Sequence, residues 1–286
     1  MQLSQQFLDS ALTRVVLGLI RVLRVLPYRR RVATMGWVAS RIIGPLAGYK
    51  KRVHDNLDLV LPDIGPSKAT DIYRQSADNL GRNVAEIFYC QDFFNVVGET
   101  EPHGDGWPEV SQALKDNKPI VFISGHFGNL NALRAWANLN GHRILGIFQP
   151  LENASLNDPY VEAMQTIAPM VPRDASGMRS FMKELKAGGT VALLHDQALP
   201  LGSPLTFFGK PAKTILTPAE LAIRFDALLV PAYGVRRDDG VTFDMIVEKP
   251  IPHSTPEEMM QTANDSLESR VRAHMGQWLW MHRRWK

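Results

Sequence analysis

One histidine stands where strand, turn and helix signals meet, in a setting suited to acid–base chemistry. His126 follows the apolar run Ile120-Val-Phe-Ile123 and the turn signal Ser124-Gly125. After it come Phe127, a small polar loop, Gly128-Asn129, and a helical pattern through Ala132, Leu133, Ala135 and Trp136. The apolar run has the length of a buried strand, and the carboxyl end of a strand is where open α/β sheets bind their ligands. A neutral imidazole there has a proton affinity matched to working pH. Five residues on, Asn131 lies in the first helical turn, in reach of the ring. Its amide oxygen can accept a hydrogen bond from the far ring nitrogen but carries no charge. Gly128 permits close backbone approach to a ligand, and amides of Gly128 and Asn129 at a helix start suit a bound oxyanion.

The elements that must position these groups alternate. Helical patterns cover 107–117, the stretch after the His126 loop to about 140, 155–167, 176–187, 214–225 and 256–274, with Asn153 or Ser155 able to cap the third. Apolar strand-like runs cover 119–124, 142–148, 168–172, 190–195, 228–234 and 241–248, with a long loop before 214. This order predicts an α/β fold with a mostly parallel mixed central sheet flanked by helices. Residues 33–48 and 66–92 read as helices ahead of it, and the chain divides into an N-terminal helical segment, 1–62, and an α/β domain, 63–286.

Composition narrows the partners. The 286 residues are 45% hydrophobic, enough for a full core, with a net charge of +3 and one cysteine, Cys90, which rules out an intrachain disulfide. Basic clusters at Arg29–Arg31, Lys50–Arg52 and His282–Lys286 suit an anionic membrane surface or an acidic protein. No zinc, helix-turn-helix or RNA-binding motif supports nucleic acid. No apolar run reaches the roughly 18 residues of a membrane span. Residues 11–26 form a basic amphipathic helix: Arg14, Arg21 and Arg24 fall within an arc of roughly 80° on a wheel of about 100° per residue. Val15, Val16, Leu19, Ile20, Val22, Leu23 and Leu26 take the other side. Such a helix lies in the headgroup region or packs on the domain with its arginines in water. Charges inside the apolar region argue against a cleaved signal peptide.

Gly125-His126-Phe127-Gly128-Asn129 resembles the opening motif of the bacterial lipid A late acyltransferases, a branch of the lysophospholipid acyltransferase superfamily. That motif is a histidine, four residues, then an acid; here Asn131 stands in the acid's position. Two later stretches carry the resemblance further: Thr206-Phe-Phe-Gly-Lys-Pro-Ala-Lys-Thr214 and the tail Gln277-Trp-Leu-Trp-Met-His-Arg-Arg-Trp285. The resemblance implies transfer of a fatty acyl group from acyl carrier protein, or from coenzyme A, to a hydroxyl of a lipid at the cytoplasmic face of the inner membrane. The acceptor it implies first is a lipid A precursor, with another lyso-lipid as the alternative, and no cofactor is needed.

The resemblance also implies site roles. His126 is the general base, with Asn131 as its neutral partner, so that this form is slowed or inactive, whether by an engineered substitution or natural divergence; a non-catalytic lipid-binding homologue is the alternative. Gly128 and Asn129 belong to the site. Arg173 binds a phosphate or carboxylate of the acceptor or, more simply, pairs with Asp174 or Glu184. Asp196, of the pair Asp196-Gln197 at another strand end, pairs with Arg173 across the cleft. Phe207 and Phe208 line the acyl channel, Gly209 makes a tight turn, and Lys210 and Lys213 meet phosphate or an acidic carrier. The Trp-rich tail suits a membrane interface or packs on the domain. His195 and Asp196, as strand neighbours, point to opposite faces. Ser124 lacks the neighbours of a nucleophile elbow. No metal-ligand spacing, Walker loop or dinucleotide fingerprint is present.

Overall fold

The computed structural model describes residues 2–151 and 153–285, which leaves Lys286 of the basic tail outside the described residues. Among the described residues eight strands form: β1 Ile120–Ser124, β2 Ile144–Phe148, β3 Met170–Pro172, β4 Thr190–Leu194, β5 Ser203–Phe207, β6 Lys210–Thr214, β7 Leu228–Arg236 and β8 Phe243–Val247. Six of them make one sheet in the order β3-β2-β4-β1-β7-β8. All its pairings are parallel except β7 with β8. The fold is therefore α/β with a mostly parallel central sheet, as its alternating pattern predicts.

Strand β1 sits between β4 and β7 and is buried on both faces, which is why it reads as an unbroken apolar run. Successive side chains point to opposite faces. Ile120 and Phe122 enter one apolar layer with Phe93, Val110, Trp136 and Met164. Val121 and Ile123 enter the other with Phe181, Leu185, Leu221 and Met260. Helices Cys90–Gly98, Trp107–Lys115, Ala132–Leu139 and Ala154–Ile167 supply the first layer. Helices Ala175–Lys186, Thr217–Phe225 and Pro256–Ala273 supply the second.

Three local expectations change. The long loop before 214 contains the hairpin β5–β6. Its two-residue turn is Phe208-Gly209, both at positive φ (52° and 68°), the geometry of a tight I′-like turn. The prolines and lysines of these strands hide the alternation that would have announced them. The helix expected over 66–92 breaks at Tyr89 into Pro66–Phe88 and Cys90–Gly98, where the Tyr89 hydroxyl donates to the Ile20 carbonyl. The helix expected over 33–48 starts at Tyr28, just after Pro27, and widens into one π turn at Ala39–Ile43.

The first helix, Gln2–Leu23, packs Ile20 and Leu23 against Val32, Met35 and Tyr89. Arg14, Arg21 and Arg24 are exposed, but so are Val15 and Val22, so its buried stripe is narrower than the apolar face of the wheel. Among the described residues no helix is long and apolar enough to cross a membrane. Val53, Leu57 and Val60 of the helix Tyr49–Val60 share a cluster with Phe127, Phe207 and Trp278, which ties the N-terminal helices to the end of β1.

His195, just past β4, is fully buried, and among the described residues neither ring nitrogen has a well-formed hydrogen bond. Burial pushes its imidazole down to about 4, against the pull of Asp196 and with help from Arg284. The fold thus favours the neutral ring. This contribution is complete above the free-histidine value of about 6.5 and is lost as pH falls from there through about 4. Calorimetry from pH 7 to pH 4 should show the unfolding midpoint falling, and falling less in His195→Leu. An equal slope in the two proteins would contradict this account.

Candidate active site

Sheet register assembles the site. Strands β1 and β4 run parallel, with Ile120 opposite Thr190 and Ser124 opposite Leu194. Two residues beyond each strand end stand His126 and Asp196, so the same register sets them side by side. Asp196 is wholly buried and accepts three hydrogen bonds. Its Oδ1 takes one from His126 Nδ1 at 2.8 Å; its Oδ2 takes one from the His126 backbone N–H at 2.7 Å and one from Trp278 Nε1 at 2.9 Å. Burial alone would raise the carboxyl, but the charge and hydrogen bonds of His126, with His282 behind it, hold it well below the usual carboxylate range. An ionised carboxylate only accepts, so the imidazole carries its proton on Nδ1 and keeps Nε2 as the basic nitrogen. The His126 side chain is 22% exposed. It borders a cavity of about 110 Å³ whose walls include Leu80, Val84, Ile87, Leu130, Tyr160 and Leu279.

The loop after His126 is held by a buried polar network. Gly128 has φ 56°, and a Cβ there would lie 2.0 Å from the Gly234 carbonyl oxygen, so only glycine fits. Its carbonyl accepts from the side-chain amides of both Asn79 and Asn83. Asn129 donates from its side chain to Glu86, which forms a buried ion pair with Arg236. Arg236 in turn donates to the amide oxygens of Asn79 and Asn83. Asn79, Asn83 and Glu86 lie at i, i+4 and i+7 of the helix Pro66–Phe88, hence on one face. Sequence reasoning passed over them. The available signal was three hydrogen-bonding side chains at helical spacing beside the apolar Tyr73, Ala77 and Ile87.

Several expectations are corrected. Asn131 borders the same cavity as His126 but makes no hydrogen bond to it. Its Oδ1 accepts from Arg134 Nη1 at 2.9 Å, one helical turn on, and its backbone N–H is capped by Asn129 Oδ1. Arg134 is buried, with no carboxylate partner among the described residues, and burial pushes it down to about 10. The backbone amides of Gly128 and Asn129 are spent on the carbonyls of Gln277 and Gly234, so neither is free for an oxyanion. Asp196 pairs with His126 and not with Arg173. Arg173 is exposed and donates to Gln149; Asp174 caps the next helix, and Glu184 lies near Arg143.

Phe207 and Phe208 are buried against Trp278, Trp280 and Trp285 and are not among the residues that line the cavity His126 borders. Gly209 does make the tight turn, and Lys210 is exposed beside it. In the tail, Trp278 and Trp280 are fully buried, so these two belong to the core and not to a membrane interface.

Two substitutions test this geometry. In Asp196→Asn the His126 ring loses its fixed acceptor, and nitrogen-15 NMR should show mixed tautomers in place of a single Nδ1–H form; an unmixed ring would refute the pairing. In Asn131→Asp the new carboxylate should pair with Arg134. A charge-assisted bond of about 1–2 kcal/mol corresponds to a melting temperature higher by about 2–6 °C for a domain of this size. A lower melting temperature would contradict the assignment.

A search of curated proteins finds no match to the chain. A family described as bacterial lipid A biosynthesis acyltransferase matches residues 2–286, from the first helix through the tail that brings Trp278 to Asp196. With that span covered, the chain belongs to the bacterial lipid A biosynthesis acyltransferase family.

Proposed function

We propose that the protein transfers a fatty acyl chain from a thioester, on acyl carrier protein or coenzyme A, to a hydroxyl of a lipid acceptor, and that this acceptor is a lipid A precursor. The observation that carries the reading is the His126–Asp196 pair: a base with one nitrogen held by a buried carboxylate and the ring bordering an apolar cavity. His126 Nε2 takes the proton of the acceptor hydroxyl as its oxygen attacks the thioester carbonyl carbon. Asp196 stabilises the imidazolium that forms. The carbonyl oxygen becomes an oxyanion. Leu130 lines the cavity, and its backbone N–H, without a hydrogen-bond partner among the described residues, is our candidate donor to it. Collapse of the intermediate breaks the C–S bond, and the imidazolium returns its proton to the departing thiolate. An ester and a free thiol result.

On this reading Asn131 does not slow the enzyme, because the charge that the imidazole needs comes from Asp196. Attachment to a lipid surface is supported by exposed Trp37, Ile42, Ile43 and Leu46, with Arg30, Arg41 and Lys50 exposed close by in the chain. Apolar insertion beside basic groups suits an anionic leaflet. This surface supports the reading that the protein works at the cytoplasmic face of the inner membrane. Lys210 and Lys213, exposed on the β5–β6 hairpin, suit an acidic carrier.

Mass spectrometry of the acceptor after incubation with acyl carrier protein or coenzyme A thioesters reads the reaction directly. Wild type should add one acyl chain. His126→Ala and Asp196→Asn should be slower by about 10²–10⁴-fold, and Asn131→Asp should stay within about threefold of wild type. Full turnover by His126→Ala would refute the base assignment. In a deletion strain, loss of one secondary acyl chain from lipid A supports the acceptor; intact lipid A with a missing aminolipid overturns it.

A further inference from the structure

The C-terminal tail brings a second histidine to the site. The His282 and His126 rings meet edge to face, with centroids 4.6 Å apart and planes at 73°. His282 Nε2 lies 3.2 Å from Gln197 Nε2. The amide nitrogen can only donate, so this ring nitrogen accepts and the proton of the neutral ring sits on Nδ1. Gln197 directly follows Asp196. One strand end therefore holds both rings, Asp196 gripping His126 and Gln197 gripping His282.

The tail's path is fixed at each step. Ser76 donates to the Trp278 carbonyl, and Asn56 donates to those of Trp280 and His282. The Leu279 N–H donates to the His126 carbonyl and the His282 N–H to that of Leu279. Beyond them, buried Arg284 donates to the Lys213 carbonyl and Thr214 Oγ1. His126, Asp196 and Arg52 are the charged or titratable groups that act on His282. Burial first and His126 second push its imidazole down to about 4, so the fold favours its neutral form.

We propose that His282 is a positioning residue for His126: its neutral ring, packed against the imidazole, keeps Nδ1 on Asp196 and Nε2 facing the cavity. The inference rests on reading His126 as the base. One hydrogen bond leaves a ring free to rock about its Cβ–Cγ bond; a second ring packed against it does not. A neutral aromatic neighbour also tolerates the imidazolium formed during turnover, whereas a protonated His282 would repel it. His282 is not itself the base, because its Nε2 is engaged by Gln197 and its ring is not part of the cavity wall.

The test compares His282→Ala and His282→Phe in the full chain, with folding checked by thermal melting. The alanine variant should lower kcat by about tenfold or more, as misplacement of a reacting group does, with KM within about twofold. Phenylalanine restores an uncharged ring and should bring kcat back to within about threefold of wild type, with the acid limb of kcat/KM unmoved. Wild-type kcat in the alanine variant overturns the proposal. So does a phenylalanine variant as slow as alanine, which would make a ring nitrogen the required group. A second readout does not depend on turnover: the Nδ1–H proton resonance of His126 should be sharp in wild type and His282→Phe and broadened by exchange in His282→Ala. An unchanged resonance in all three overturns the positioning role even in a protein that transfers nothing. Full activity of His126→Ala would instead sink the base assignment alone.

Discussion

The site depends on a hydrogen bond between two residues that parallel pairing brings level. Asp196 is buried without solvent to hydrate it, and its three donors are the His126 ring, the His126 backbone and Trp278. Each donor constrains a different part of the molecule: the His126 imidazole, the turn that follows β1, and the C-terminal tail. A carboxylate taken out of water is strongly disfavoured unless such bonds replace its hydration. The fold therefore holds all three together or loses the ionised acid that fixes the His126 ring.

A second buried charge plays the matching part on the other side of the loop. Glu86 is compensated by Arg236, and both reach the loop through amides: Asn129 on Glu86, and Asn79 and Asn83 between Arg236 and the Gly128 carbonyl. Breaking a buried pair of this kind by removing one partner costs about 3–5 kcal/mol. The helix Pro66–Phe88 is thus more than a wall of the cavity beside His126. It sets the conformation of Gly128, and with it the direction in which the chain leaves His126. The same loop spends its own amides on Gly234 and Gln277, so its rigidity is gained at the expense of two candidate oxyanion donors.

Much of this was legible in the sequence, and the illegible part has a common cause. The strand before His126 announced itself because both its faces are buried. His126 and Asp196 were each recognisable as polar residues at strand ends, and the Phe-Phe-Gly turn by its glycine. What the sequence hid was which strands are neighbours. The strand-end signals alone leave Arg173 as a partner for Asp196, because nothing local reveals that β1 and β4 pair in a register that sets residue 126 beside residue 196. Nearness in sequence points Asn131 to the imidazole, yet its amide oxygen accepts from Arg134 one turn on. The tryptophans of the tail were ambiguous for the same reason: whether Trp278 meets lipid or a carboxylate is a question of tertiary contact, and it meets Asp196.

The central claim is that His126 and Asp196 act as one unit, and a kinetic double-mutant cycle tests it most directly. The rate of acyl transfer would be measured for wild type, His126→Gln, Asp196→Asn and the double variant. If the carboxylate works only through the imidazole, the double variant is no slower than His126→Gln alone. If the two losses multiply, Asp196 serves the reaction by some other route and the account fails.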